Sequence, residues 1–263
     1  MKRQRQPQLP DAIATLIGAT GDQKIASALA GVVGAAVKPD ATCLLAFHKQ
    51  APPEVLHHTM NARRARHYLD RYLAGPYLLD PLYQLALRND KPGMCRCRDE
   101  TPDRFRSSEY FRQYYDRTHL ADEMDFLVDV DAKTALVLVV GRWNNRFSRS
   151  DVDALRWIEP IVKSALHRIW SVWSDRHSVD ERDLTMHQRL TQCFEQFGET
   201  RLTQRERQIT QLLLRGHSSK SVARELNIAP GTVMVHKRNL FSKLGISSQY
   251  ELFSLFIDKL SAL

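Results

Sequence analysis

Met234, Val235, Lys237 and Arg238 fall together on one side of a helical stretch whose other side carries Val233, Leu240 and Leu244. A repeat of about 3.6 residues per turn sends the apolar trio inward and leaves the first four on a face with no core to fill. Two cations beside two compact apolar side chains suit a double helix. Guanidinium and ammonium groups meet phosphates or guanine edges, and apolar atoms meet thymine methyls.

Other chemistry is thinly supplied. HExxH, GxSxG and paired-carboxylate motifs are missing, so no catalytic residue, cofactor or metal site is expected and the chain reads as a non-enzyme. Gly18-Ala-Thr-Gly21 lacks the Gly-Lys-Ser/Thr that completes a phosphate-binding loop and reads as a turn. Cys95-x-Cys97 has no second ligand pair for zinc, and His57-His58 has no partner in sequence.

The elements that hold the basic face are legible around it. Thr203 with Glu206 forms a capping box, and Ile209, Leu212 and Leu213 then recur at helical spacing up to Gly216. Ser218 caps a second helix that buries Val222, Ala223 and Leu226. Pro230 sits where a first helical turn accepts proline, and the third helix runs from about Thr232 to Leu244, with Gly245 after it. A short helix, a turn and a second helix with an exposed basic side is a helix-turn-helix, whose second helix enters a major groove. From Arg201 to Leu263 ten basic residues face four acidic ones, which is six of the chain's net eight positive charges. Such a concentration suits a polyanion that releases counterions on binding.

At these residues the chain resembles the DNA-binding domain of LuxR-type transcription regulators. The likeness lies in Leu202-Thr203-x-x-Glu206, Gly216-x-Ser218-x-Lys220-x-Val222-Ala223, Leu226-x-Ile228, Thr232-Val233-x-Val235-His236 and Lys243-Leu244-Gly245. The resemblance implies a tetrahelical domain that binds double-stranded operator DNA as a homodimer, often through a fourth helix, here Gln249 to Leu260. It implies base contacts from Val235 and Arg238 and phosphate contacts from Lys220, Thr232, Lys237 and Lys243. His236 is left open between packing, phosphate and base. Two positions depart from the family: Ala229 stands where a capping Ser is common, and Met234 where a Lys commonly reaches the DNA.

The first 174 residues read as α+β: helices over Leu9 to Val37, strands at 42–48, 54–60, 122–130 and 133–142, a short segment around 94–98, and a long helix capped by Ser148 and Asp151. Helical stretches are expected over Ala62 to Ala74, Pro81 to Arg88 and Ser107 to Thr118. This order implies an antiparallel sheet with helices on both faces. It resembles the sensory domains of LuxR-type regulators, autoinducer-binding or GAF-like, at Tyr68-x-x-x-Tyr72, Asp80-Pro81, Gly141-Arg142, Phe147-Ser148-x-x-Asp151 and Pro160. By that resemblance Tyr68, Tyr72 and Asp80, joined by Tyr83 on the next helix, line a ligand pocket. The family's lactone-binding anchors are only half present, which points to another small polar metabolite. Tyrosines at helical spacing equally suit a core, and Asp before Pro equally suits a helix N-cap.

The expected organisation is a sensing and dimerisation domain over 1–174, a linker with an amphipathic helix over 175–200, and a helix-turn-helix domain over 201–263. The linker opens on the polar run Ser174 to Asp183, and its helix carries Leu190, Cys193, Phe194 and Phe197. Met1 to Gln6 reads as a basic tail. Four cysteines without a signal peptide or membrane-length apolar run imply reduced thiols, a cytoplasmic location and no membrane partner. A receiver domain is excluded because the first strand ends in His-Lys instead of acidic residues. A thiol switch at Cys95 and Cys97, or a constitutive binder whose first domain only dimerises, are the alternatives to a ligand-responsive regulator.

Overall fold

The computed structural model describes residues 8–88, 91, 93–108, 110–175 and 181–261. The basic opening and the middle of the polar linker lie outside these residues. In chain order the elements are α1 (Leu9–Gly18), α2 (Asp22–Val37), β1 (Ala41–His48), β2 (Glu54–His58), α3 (Ala62–Ala65), α4 (Arg71–Leu73) and α5 (Pro81–Ala86). Next come β3 (Met94–Arg96), α6 (Cys97–Glu100), β4 (Asp122–Asp129), β5 (Thr134–Arg142) and the long α7 (Arg149–Ser174). The chain continues with α8 (Glu181–Glu195), α9 (Gln204–Leu214), α10 (Ser219–Glu225), α11 (Pro230–Leu244) and α12 (Gln249–Ser261).

These elements gather into two compact units. One comprises residues 1–69, 85–99 and 120–180, the other 70–84, 100–119 and 181–263. The first unit is built on a five-stranded sheet in the order β2-β1-β5-β4-β3, each neighbouring pair antiparallel. β1 is buried along its whole length and β4 along all but its last residue. That accounts for the apolar run of β1, since a strand covered on both faces has no reason to alternate, whereas β4 buries Asp122, Glu123 and Asp125 along with its apolar residues. Leu44, Ala46, Phe126, Leu136, Leu138 and Val140 line one face, packed against α1, α2 and α7. Gly21 lets the chain break between α1 and α2 at φ +84°, a conformation that costs a side-chain-bearing residue strain. The apolar stripe of α7 (Leu155, Ile158, Val162, Leu166, Ile169) is fully buried and spent on this core, and the helix presents Trp157, 65 % exposed, instead.

Arg142 closes the same unit. Its guanidinium donates to both oxygens of Asp151 at 2.9 and 3.1 Å, donates to the Val37 carbonyl and lies 4.3 Å over the Phe147 ring. Ser148 and Asp151 make the expected capping box of α7. The end of β5 is thereby tied to the start of the long helix.

Two helical expectations break up. Ala62 to Ala74 is interrupted by a π-helical turn at Arg66–Asp70, and 107–118 is split into short 3₁₀ and π segments around Phe111–Tyr115. In the second case Phe105, Phe111 and Tyr115 pack ring to ring at 5.3–5.5 Å, and that aromatic clustering overrides regular helical spacing.

The second unit is helical. α9, α10 and α11 pack on one another, and α12 returns to α8 and α9. Phe256 receives Phe194 and Phe197 edge-on at 5.5 and 5.4 Å, so the amphipathic helix α8 shares a core with α12.

Candidate nucleic-acid interface and sensory cluster

α9 begins at Thr203, whose hydroxyl accepts the Glu206 amide while the Glu206 carboxylate accepts the Thr203 amide at 2.8 Å. α10 begins at Ser218, whose hydroxyl accepts the Ser221 amide at 3.1 Å. The turn that follows is set by Asn227 at φ +51°, with the Ile228 amide donating to the Ala223 carbonyl at 2.9 Å and the Arg205 guanidinium to the Leu226 carbonyl at 2.9 Å. Asparagine is among the few side chains that tolerate this left-handed backbone. Ala229 is the N-cap of α11 and offers no side-chain bond, and Pro230 takes the first turn without losing a needed donor.

Val233, Leu240 and Leu244 are buried, and the opposite side of α11 is open. Met234 is 64 % and Val235 47 % exposed, with Thr232 and Arg238 exposed beside them. His236 and Lys237 are half-buried, and Lys220 is exposed on α10. Lys237 rests 5.3 Å over the Phe241 ring, and burial, then the Arg104 charge, lowers its pKa below the ordinary lysine value. Lys243 is differently employed. Its ammonium meets both oxygens of Glu206 at 2.7 and 3.0 Å, so the residue expected at a phosphate is gripped by the capping box of α9.

Three of the four residues expected to hold a ligand come together in the second unit. The Tyr72 hydroxyl donates to Asp80 Oδ2 at 2.8 Å, and the Leu82 amide donates to Oδ1 at 2.9 Å. Asp80 thus caps α5 and meets a tyrosine at once. Burial raises its carboxyl to about 6 against these two hydrogen bonds. Tyr83 is buried, its ring edge-on to Tyr77 at 5.2 Å, and burial raises its phenol to about 12. Tyr68 belongs to the first unit, edge-on to His67 at 4.9 Å. Sequence reading missed Tyr77 and His187. The Tyr77 hydroxyl lies 2.7 Å from His187 Nδ1, and the two rings stack at 14°. They are separated by 110 residues, so no local pattern joins them.

The thiol alternative concerns Cys95, on β3, and Cys97, at the start of α6. Cys43, Cys95, Cys97 and Cys193 are all buried, and none is in a disulfide. Burial, then the Glu123 charge, raises the Cys43 thiol to about 12, so this cysteine is little disposed to ionise.

Fold and site together define a two-unit helix-turn-helix regulator, and comparison with known proteins narrows the class. Residues 200–256 match the family described as bacterial regulatory proteins, luxR family. A putative HTH-type transcriptional regulator in the exeN 3' region of Aeromonas salmonicida is 32 % identical over 157 residues, 58 % of this chain and 80 % of that protein. The transcriptional regulatory protein UhpA of Escherichia coli (strain K12) is 46 % identical over 57 residues, 22 % of this chain and 29 % of UhpA. The LBD domain of VqsR from Pseudomonas aeruginosa shares the fold, with a TM-score of 0.55 at 23 % identity over 62 % of this chain and 96 % of that one. The chain belongs to the luxR family of bacterial regulatory proteins. Among the described residues no helix is long and apolar enough to cross a membrane.

Proposed function

We propose that the chain binds operator DNA as a dimer through α10 and α11 and that a small polar effector, sensed by the N-terminal part, sets its affinity. One observation carries the DNA reading: Met234 and Val235 stand exposed beside Arg238 on the side of α11 opposite its buried seam. An apolar pair left in water next to a guanidinium has a use when a groove supplies methyl groups and guanine edges. Val235 and Arg238 are assigned to bases, with Met234 beside them. Lys220, Thr232 and Lys237 are assigned to phosphates, with His236 at the margin of the contact. Lys243 is set apart by its grip on Glu206.

Asp80, Tyr72 and Tyr83 are the effector's anchors in this reading, with Tyr68 as a further candidate. A carboxyl that titrates near 6 suits a ligand bearing an amine or amide donor.

The test is selection of duplexes from a random pool by the full chain, followed by binding of variants to the selected site. Arg238→Ala is expected to cost about 1–3 kcal/mol and relax one base position. Lys220→Ala is expected to weaken all duplexes alike and reduce the salt slope by about one. Equal losses on selected and random DNA for Arg238→Ala would remove the base-reading role.

A further inference from the structure

Ser218 has a second hydrogen-bonding partner, 115 residues earlier in the chain and in the same compact unit. Asp103 Oδ1 accepts from the Ser218 amide at 3.0 Å, and Oδ2 accepts from the Ser218 hydroxyl. The Arg104 amide donates to the Gly216 carbonyl at 3.2 Å. Gly216 holds φ +92°, and a Cβ there would lie 3.0 Å from the Phe105 Cα, so the Phe105 backbone is seated directly on the glycine. Phe105 itself is anchored edge-on to Phe111 and Tyr115 at 5.4 and 5.5 Å. On the other flank the Arg104 charge reaches Lys237, the residue of α11 assigned above to a phosphate.

Residues 103–105 therefore touch the turn before α10 and the cap of α10, with the Arg104 charge felt at Lys237 of α11, while Met234 and Val235 stay open. Asp103 is held ionised: burial works the other way, but the Ser218 bonds and nearby His217 keep its carboxyl below the usual carboxylate range. A DNA phosphate brought to Lys220, two residues on from Ser218, meets that negative charge. Releasing Asp103 leaves α10 intact, because the Ser218 hydroxyl also accepts from the Ser221 amide.

We propose that residues 103–105 form an intramolecular clasp on the flank of the helix-turn-helix, so that full duplex affinity requires Asp103 to let go of Ser218. The clasp rests on the reading of α10 and α11 as DNA-binding. It converts a fraction of the chain into a form that cannot bind, and apparent affinity falls by that fraction.

The experiment measures full-chain binding to the selected duplex, by fluorescence anisotropy, for wild type, Asp103→Ala and Asp153→Ala. Asp153 is exposed on α7, so its variant removes the same charge without touching the clasp. Asp103→Ala is expected to bind about tenfold more tightly than wild type and Asp153→Ala within about twofold of it. A second variant, Asp103→Cys with Ser218→Cys, makes the clasp reversible. Oxidation is expected to weaken binding about tenfold and reduction to restore it. If wild type binds but Asp103→Ala binds no more tightly than Asp153→Ala, or the oxidised and reduced pair bind alike, the clasp is overturned while the DNA reading stands. If neither wild type nor any variant retains duplex, the DNA reading falls and the clasp with it.

Discussion

The Lys243 ammonium lies 2.7 and 3.0 Å from the two oxygens of Glu206, the carboxylate that also closes the capping box of α9. One buried carboxylate thus serves the start of one helix and the last turn of another, and it ties α9 to α11.

Lys243→Met is expected to lower unfolding stability by about 1 kcal/mol, a modest figure because the lysine is part-exposed. The salt slope of DNA binding should stay unchanged. Burial raises the Glu206 carboxyl, but Lys243 and Thr203 outweigh it and hold the group below its usual value of 4.5. Its stabilisation is therefore fully present above pH 4.5 and lost as pH falls through the lowered value. Urea midpoints of wild type and Glu206→Gln should converge in acid. A salt slope reduced by about one in Lys243→Met would restore the lysine to a phosphate.

Ala229 leaves the first amides of α11 without a side-chain acceptor. Its backbone is already extended, at φ −67° and ψ 142°, as an N-cap requires. Ala229→Ser should raise stability by about 1 kcal/mol, seen as a higher urea midpoint at constant m-value. No gain would mean that solvent already satisfies those donors.

Asp80 titrates in the folded chain at about 6, above its usual 3.8. In that window the folded state binds more protons than the unfolded one, so this group's contribution to stability falls as pH rises from about 4 to 6. Asp80→Asn removes the effect. Relative to wild type the variant should gain about 2 kcal/mol between pH 4 and pH 7 in urea titrations. Parallel pH profiles for the two proteins would show that the carboxyl titrates normally.

Arg142→Ala breaks a bidentate, largely buried pair with Asp151 and uncovers Phe147. The expected loss is about 2–3 kcal/mol. A double-mutant cycle with Asp151→Asn should show strong non-additivity, because both changes remove one interaction. Additive losses would place the effect in packing on Phe147 alone.

Wherever physics acts over a few residues, the sequence was readable. The capping boxes at Thr203–Glu206 and Ser148–Asp151, the uncapped Ala229, and the strands β1, β2, β4 and β5 follow from local spacing and hydrogen-bonding capacity, whereas β3 was legible only as a short segment. The buried seam of α11 follows from helical period alone, and Met234, Val235 and Arg238 face outward as expected, but Lys237, expected with them, is half-buried beside the seam over Phe241. The interruptions at Arg66–Asp70 and Phe111–Tyr115 were not readable; at the second, rings of Phe105, Phe111 and Tyr115 cluster where regular helical spacing was expected.

The sequence by itself determined a helix-turn-helix with a basic open face behind an α+β domain, since charge, caps and periodicity are properties of neighbouring residues. Only the tertiary structure decided that Asp103 grips Ser218, that Tyr77 stacks on His187, that Lys243 serves Glu206, and that 70–84 and 100–119 cluster with the C-terminal helices. Each joins groups tens of residues or more apart in the chain, and a pairing of that range is chosen by which surfaces the whole fold brings within hydrogen-bonding or van der Waals reach.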